Sequence, residues 1–245
     1  MNFYGNFNFC VYKRVLGVME MNKVQRKDNR KTNQIRTMSV CTGTVSTATG
    51  SCYIEIGNTK VICSVFGPRE SPFSREYSDS GKLWCDVKYA PFSCSQYRSR
   101  IQDDESRNLS AQVVSTLTPC VNINSFPKSV VEIYICILES DGSSFIPCCL
   151  AASTALANAG IEMYGLLGGC TTCIKDDIIL TDPTGEELEG ATGQTDILYM
   201  NSTRNVVYVS HKGTMEGLLC AQSMANCIDG CNQVTTIIRN ALISA

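Results

Sequence analysis

A strand, a glycine turn and a helix follow one another over residues 129–160, and this unit constrains the fold most. The apolar run at 130–138 predicts a buried strand, and the small-residue run at 151–159 predicts a helix that ends at Gly160. The turn between them is Asp-Gly-Ser-Ser at 141–144. Free backbone N–H groups and the helix dipole favour an anion at such a helix start. The unit therefore has the form of a phosphate cradle, and its side chains decide whether it binds one.

Turn residues divide the rest of the chain into short β-rich runs with helices between them. The stretch Gly57-Asn58-Thr59 lies between two such runs and predicts a β-hairpin. Further helices are predicted at 109–121 and from 214 to the end, the second with a possible break at Gly230. The strands are predicted at 38–44, 51–56, 60–66, 83–89, 196–200 and 206–210, with a pair at 167–180. This order predicts an α+β fold rather than a regular doubly wound sheet.

Charge is distributed unevenly along the chain. The first 36 residues hold eight basic and two acidic residues, whereas the whole chain has a net charge of -2. We therefore predict a basic, disordered extension at 1–35 and a folded domain at 36–245. The extension either contacts nucleic acid or is simply solvated. No window approaches 18 consecutive apolar residues, so a membrane span is not predicted.

The reactive residue types argue against several kinds of site. His211 is the only histidine, which disfavours a histidine-based triad or a multi-histidine metal centre. Cys170 and Cys173 form the one close C-x-x-C pair, but residues three apart on a strand point to opposite faces. The 15 cysteines are interpreted mainly as reduced, small apolar residues. We find no P-loop and no dinucleotide fingerprint, so the sequence predicts neither a metal nor a cofactor.

Three stretches resemble the RNase PH superfamily. The hairpin at 50–70 is similar to the signature hairpin of that family, and 83–93 looks like the form found in RNA exosome ring subunits. Residues 155–164 resemble the second helix of the family and the loop that follows it. The resemblance covers about residues 36–245 and implies an RNase PH-like fold of two packed β-α halves. The family includes phosphorolytic exoribonucleases, in which phosphate attacks the RNA 3′ end, and inactive ring subunits.

The resemblance also implies where the phosphate-binding groups would stand. Active members carry Asp-Gly-Gly-Thr-Arg at the turn, so Ser144 and Phe145 occupy the Thr and Arg positions. Active members carry an arginine pair just before the first helix, and counting back from the helix pattern places that pair at Asp104 and Glu105. A shift of one or two residues would instead offer Arg107.

Active members further carry two acidic residues six positions apart after the turns of the second half. The matching positions here are Gly190 and Asp196, and a family Glu between them corresponds to Gln194. Each charge-assisted contact to phosphate contributes about 1.5–3 kcal/mol. Losing two or three of them would lower phosphate affinity by orders of magnitude, so we predict no enzymatic activity. The alternative is an active phosphate-dependent 3′–5′ exoribonuclease.

The resemblance is strongest to the non-catalytic ring subunit of the RNA exosome that is named for messenger RNA transport. It implies a structural subunit in a hetero-hexameric ring of RNase PH-like subunits, capped by RNA-binding proteins, with RNA passing through the pore. The implied processes are rRNA processing and mRNA turnover in the nucleus, nucleolus and cytoplasm. A third hypothesis is an independent RNA-binding module that uses the basic extension.

A charged loop before the first helix is the candidate RNA contact. Its three arginines would touch phosphates at the pore entrance without recognising sequence; they are Arg98, Arg100 and Arg107. Acidic residues at 103–105 in the same loop oppose this. A solvated loop of mixed charge therefore remains an equal alternative.

Overall fold

The computed structural model describes residues 26–70, 80–94, 97–98, 103–176 and 178–244. Residues 32–245 form one compact unit. The predicted disorder of the extension falls largely outside the described residues, and the domain boundary near residue 36 stays a prediction. In the described residues, no helix combines the length and the apolar character that a membrane span requires.

Two sheets carry the strands of this unit. The first sheet has the order β1-β2-β3-β5-β4, and only β4 and β5 run parallel in it. Its strands are β1 Met38–Thr42, β2 Gly50–Ile56, β3 Thr59–Glu70, β4 Lys82–Tyr89 and β5 Ser129–Glu139. The second sheet is antiparallel, with the order β7-β6-β8-β9. Its strands are β6 Leu167–Lys175, β7 Ile178–Thr181, β8 Gly193–Met200 and β9 Asn205–Gly213.

Four α-helices complete the described fold. They are α1 Asp104–Leu117, α2 Phe145–Asn158, the short α3 Gly185–Leu188 and α4 Gly217–Ile243. Helix α2 contacts β2 and β3 of the first sheet and β6 of the second, and α4 contacts β6 and β8. Because α2 packs between the sheets, its residues from Phe145 to Leu156 are all buried. The predicted α+β class and hairpin are confirmed, since β2 and β3 join through a two-residue turn with Gly57 at a φ of 56°.

The predicted break at Gly230 is wrong, because α4 runs without interruption from Gly217 to Ile243. Gly230 is buried against β6, and a Cβ added to it would lie 2.7 Å from the Sγ atom of Cys170. The glycine therefore allows close packing of the helix on the sheet, which is a tertiary requirement that the local sequence does not reveal.

The first helix begins earlier than the apolar spacing predicts. Helix α1 starts at Asp104 rather than near residue 109, so Asp104 and Glu105 lie in its first turn instead of in a loop. Both side chains are exposed, so they add nothing to an apolar repeat. Carboxylates are favoured in a first turn because they complement the positive end of the helix dipole.

Arg36 joins turns from the two halves of the fold. Its guanidinium forms a two-pronged pair with Asp182, at 2.8 Å from Nη2 to Oδ1 and 3.1 Å from Nε to Oδ2. Its Nη1 donates to the carbonyl oxygen of Asp141 at 2.9 Å, and the Asp141 Oδ1 atom accepts the Gly185 N–H at 2.8 Å. Burial lowers the pKa of Arg36, but the hydrogen bond and charge of Asp182, with the charge of Asp141, outweigh burial and raise it. We call this set of contacts among Arg36, Asp141 and Asp182 the junction.

Replacing Arg36 tests the junction. Arg36→Met should lower the free energy of unfolding by about 3–5 kcal/mol, because it removes the guanidinium that balances the charge of the largely buried Asp182 carboxylate. The measurement is urea denaturation followed by circular dichroism. Lys60→Met is the matched control, because it breaks the exposed Lys60–Glu139 pair at 2.8 Å and should leave the midpoint nearly unchanged. Equal midpoints for Arg36→Met and the wild-type chain would show that the junction does not hold the fold together.

Candidate functional site

Apolar side chains occupy the start of α2. Phe145 is the first residue of the helix, is 8% exposed, and places its ring centroid 4.7 Å from that of Tyr208 on β9. The next three residues, Ile146, Pro147 and Cys148, are also buried. Pro147 has no N–H group, so one backbone donor of the first turn is missing. A phosphate at this helix start would lose its water and meet aromatic and aliphatic groups, which is unfavourable.

Ser144 uses its hydroxyl group within the protein. Its Oγ lies 2.8 Å from the Oγ of Ser140, and its side chain is close enough to the phenol of Tyr89, at the end of β4, to act on the pKa of that group. Burial raises the pKa of Tyr89, and Ser144 partly offsets that rise. The turn hydroxyl therefore already has a protein partner.

The acidic positions of α1 form ion pairs with two of the candidate RNA-binding arginines. Arg98 Nη1 lies 2.9 Å from Glu105 Oε2, and the Arg98 guanidinium stacks 4.2 Å above the Tyr89 ring. Burial lowers the pKa of Arg98, but the hydrogen bond to Glu105 outweighs it and raises the pKa. Arg107 Nη1 lies 3.3 Å from Asp104 Oδ1, with both side chains largely exposed.

These pairs affect both hypotheses for the charged loop, namely RNA contact and a solvated loop of mixed charge. An anion that binds Arg98 meets the charge of Glu105 beside it, whereas the exposed Arg107 pair contributes little energy and opens easily. Arg100 lies outside the described residues. RNA contact by the three arginines stays a prediction.

Asp196 is buried, and protein donors hold both of its carboxylate oxygens. Thr171 Oγ1 donates to Oδ1 at 2.7 Å, and Gln194 Nε2 donates to Oδ1 at 3.0 Å and to Oδ2 at 3.1 Å. A Cβ added to Gly190 would lie 3.0 Å from the amine of Lys175. The space that an acidic side chain would enter at position 190 is therefore next to a cation.

Strand register brings the second-half residues to the start of α2. Asp196 pairs with Ser210 across β8 and β9, and Leu198, two residues along, pairs with Tyr208. Asp196 and Tyr208 therefore lie on the same face of the second sheet, and Tyr208 contacts Phe145. Arg98 pairs with Glu105 and stacks on Tyr89, and Tyr89 lies close to Ser144 at the same helix start. Contacts and strand register thus connect Glu105 and Asp196, but not Asp104 or Gly190, to the start of α2.

Sequence reasoning missed the neighbours that fill this site. Tyr89, Tyr208 and Thr171 come from three separate strands, and no local pattern marks them as partners of the predicted positions. Lys175 has no motif of its own and is identified only by its distance from Gly190. Strand alternation would have placed Tyr208 and Ser210 on one face, but not against Phe145.

Thiols and acidic groups offer no alternative chemistry in this region. The described residues contain no group of three or more His, Cys, Asp or Glu side chains placed to hold a metal ion. The cysteines that the structure describes are free thiols, and burial raises the pKa of Cys52 and Cys85 to about 12. Those two thiols are therefore protonated at neutral pH and are poor nucleophiles.

A sequence-family comparison identifies the fold. The RNase PH model, described as the 3′ exoribonuclease family, domain 1, matches residues 34–162. The chain belongs to the RNase PH family. The predicted RNase PH-like fold is thereby confirmed.

Named relatives agree with this assignment. The chain is 34% identical over 217 residues to "Exosome complex component RRP41-like" of Arabidopsis thaliana, covering 89% of this chain and 84% of that protein. It is 30% identical over 234 residues to "Exosome complex component MTR3" of Homo sapiens, covering 88% and 85%. The crystal structure of rice (Oryza sativa) Rrp46 matches the fold with a TM-score of 0.78 at 18% identity, covering 89% of this chain and 100% of that one.

Restoring the arginine that the resemblance implies tests whether Phe145 is a structural residue. Phe145→Arg should lower the free energy of unfolding by about 3 kcal/mol or more, because it buries a cation against Tyr208. Phe145→Leu, the matched control, should cost about 1–2 kcal/mol because it keeps the site apolar. Both values come from chemical denaturation. A Phe145→Arg chain as stable as Phe145→Leu would mean that the helix start accepts a cation.

Proposed function

We propose that the chain is a non-catalytic structural subunit of the RNA exosome core ring. The observation that carries the proposal is the closed helix start, where Phe145 packs on Tyr208 at the position that the resemblance assigns to a phosphate-binding arginine. Two relatives in the RNase PH family are named as exosome complex components, which supports membership of the same assembly.

The remaining candidate groups support the loss of phosphorolysis. Phosphorolysis needs cations that hold inorganic phosphate against an anionic RNA phosphate, together with a free carboxylate that acts as an acid or holds a metal ion. Here Glu105 already binds Arg98, and Thr171 and Gln194 already bind Asp196. A phosphate would therefore compete with Glu105 for Arg98, and an acid or metal-holding role for Asp196 would require it to give up internal hydrogen bonds.

An edge strand supports a ring-building role. Strand β9 pairs with β8 on one side and has no further strand beside it among the described residues. It exposes Val206 and Val209, at 46% and 47%. An unpaired strand edge with apolar side chains is suited to pairing with a neighbouring subunit. We propose that this edge faces another RNase PH-like subunit in a hetero-hexameric ring.

The ring would guide RNA toward a nuclease attached elsewhere. RNA-binding cap proteins would cover one side, and RNA would pass through the pore for 3′–5′ processing of rRNA and turnover of mRNA. This role places the chain in the nucleus and nucleolus and also in the cytoplasm. Arg98, Arg100 and Arg107 would contribute only sequence-independent phosphate contacts at the pore.

The competing function is an active phosphate-dependent 3′–5′ exoribonuclease. Incubating the purified chain with RNA, inorganic phosphate and magnesium distinguishes the two, because phosphorolysis releases nucleoside diphosphates. We expect no nucleoside diphosphate above a control without phosphate, while an active RNase PH enzyme releases it under the same conditions. Release that scales with the amount of wild-type chain and with phosphate would overturn the non-catalytic assignment.

A further inference from the structure

Three aromatic side chains form a cluster on the outer face of the first sheet. Phe66 on β3, Tyr134 on β5 and Trp84 on β4 lie on adjacent strands. The Tyr134 ring centroid lies 5.8 Å from that of Phe66 and 5.3 Å from that of Trp84, with interplanar angles of 75° and 68°. Trp84 is 46% exposed and Tyr134 is 39% exposed. We call these three residues the aromatic platform.

The platform lies on the side of the sheet away from α2. Strand alternation turns Cys85 and Ile133, the neighbours of Trp84 and Tyr134, into the core, where both are buried. Helix α2 packs on that inner side, and in the described part of the chain no helix covers the outer side. The platform is thus a surface separate from the closed site at the start of α2.

Two cations without carboxylate partners border the platform. Arg69 on β3 and Lys82 on β4 both pair with Val130 of β5, which lies between those two strands. The Arg69 guanidinium lies 5.0 Å from the centroid of the Phe66 ring. Neither residue forms an ion pair within the described ranges, and both are exposed.

Two other cations of this sheet are already paired with carboxylates. Lys88 lies 3.0 Å from Asp86, and Lys60 lies 2.8 Å from Glu139. Two carboxylates lie beside the rings: Asp86, which pairs with Tyr134 across β4 and β5 and binds Lys88, and Glu132, which accepts a hydrogen bond from the Tyr134 hydroxyl at 3.4 Å. The end of the sheet with Arg69 and Lys82 therefore combines exposed rings with an excess of positive charge.

We propose that the aromatic platform binds single-stranded RNA. Bases that are not paired stack on exposed rings of proteins, and arginine and lysine at the edge of such rings neutralise the phosphates between bases. Trp84 and Tyr134 supply the stacking surface, and Arg69 and Lys82 supply the phosphate contacts. This binding requires no catalysis and no sequence recognition, and it goes beyond the proposed ring-building role.

Trp84 is the only tryptophan in the chain, so its fluorescence reports on the platform alone. Titrating the full chain with a short oligouridylate should quench this fluorescence in a saturable way, because a stacked base contacts the indole. The same length of duplex RNA should quench far less, since its bases are already paired. The affinity for oligouridylate should fall steeply with added salt.

Variants separate the platform from other surfaces. Arg69→Ala combined with Lys82→Ala should weaken binding about tenfold or more. The slope of log affinity against log salt concentration should fall by the amount expected for the loss of about two phosphate contacts. Lys88→Ala is the control, because it removes a cation of the same face that is already paired with Asp86, and it should weaken binding much less than the double variant does. These three side chains are exposed, so the variants should keep the circular dichroism spectrum of the wild-type chain.

Two results would overturn the proposal. RNA binding detected by anisotropy without quenching of Trp84 would place the RNA elsewhere on the chain. Quenching by co-purified protein subunits, with none by oligouridylate, would identify the platform as a protein-docking surface instead. Either result is distinguishable from phosphorolytic activity, which is read from nucleoside diphosphate and not from Trp84.

Discussion

The buried junction between Arg36, Asp182 and Asp141 is the interaction on which the arrangement of the two halves depends. Arg36 comes from the segment before β1, Asp141 from the turn between β5 and α2, and Asp182 from the turn after β7. Since a largely buried arginine is stable only when it is paired, these turns must meet in one geometry. That geometry places α2 between the sheets with its first turn at the candidate site.

The junction also fixes the shape of the turn before α2 through contacts within the protein. Asp141 belongs to the same turn as Ser144 and accepts hydrogen bonds from Gly185 and from the amide of Asn58. The turn is therefore held by structural contacts that do not involve a phosphate. Phe145 closes the helix start by packing on Tyr208, while the strand, turn and helix keep their places. The strand, turn and helix are thus held in place by contacts of the fold itself.

Local patterns predicted the elements that depend on local rules. The Gly57-Asn58 turn and the apolar alternation of β5 follow from turn chemistry and strand pleating, and the structure contains both. The start of α1 and the continuity of α4 at Gly230 were not predicted, because they depend on an exposed first turn and on packing against Cys170. At the candidate site, the family resemblance pointed to Phe145 and Asp196, and their roles as site residues stay predictions. It could not identify Tyr208 or Lys175, which approach from other strands.

Affinity purification of the full chain, followed by mass spectrometry, tests the central claim of a ring subunit most directly. The account predicts that other RNase PH-like exosome subunits and RNA-binding cap proteins are recovered in amounts close to that of the chain. It also predicts that removing residues 1–35 leaves this recovery unchanged, since β9 lies in the folded domain. Recovery of the chain without any exosome subunit would contradict the account, and loss of RNA binding on that truncation would instead favour an independent RNA-binding module.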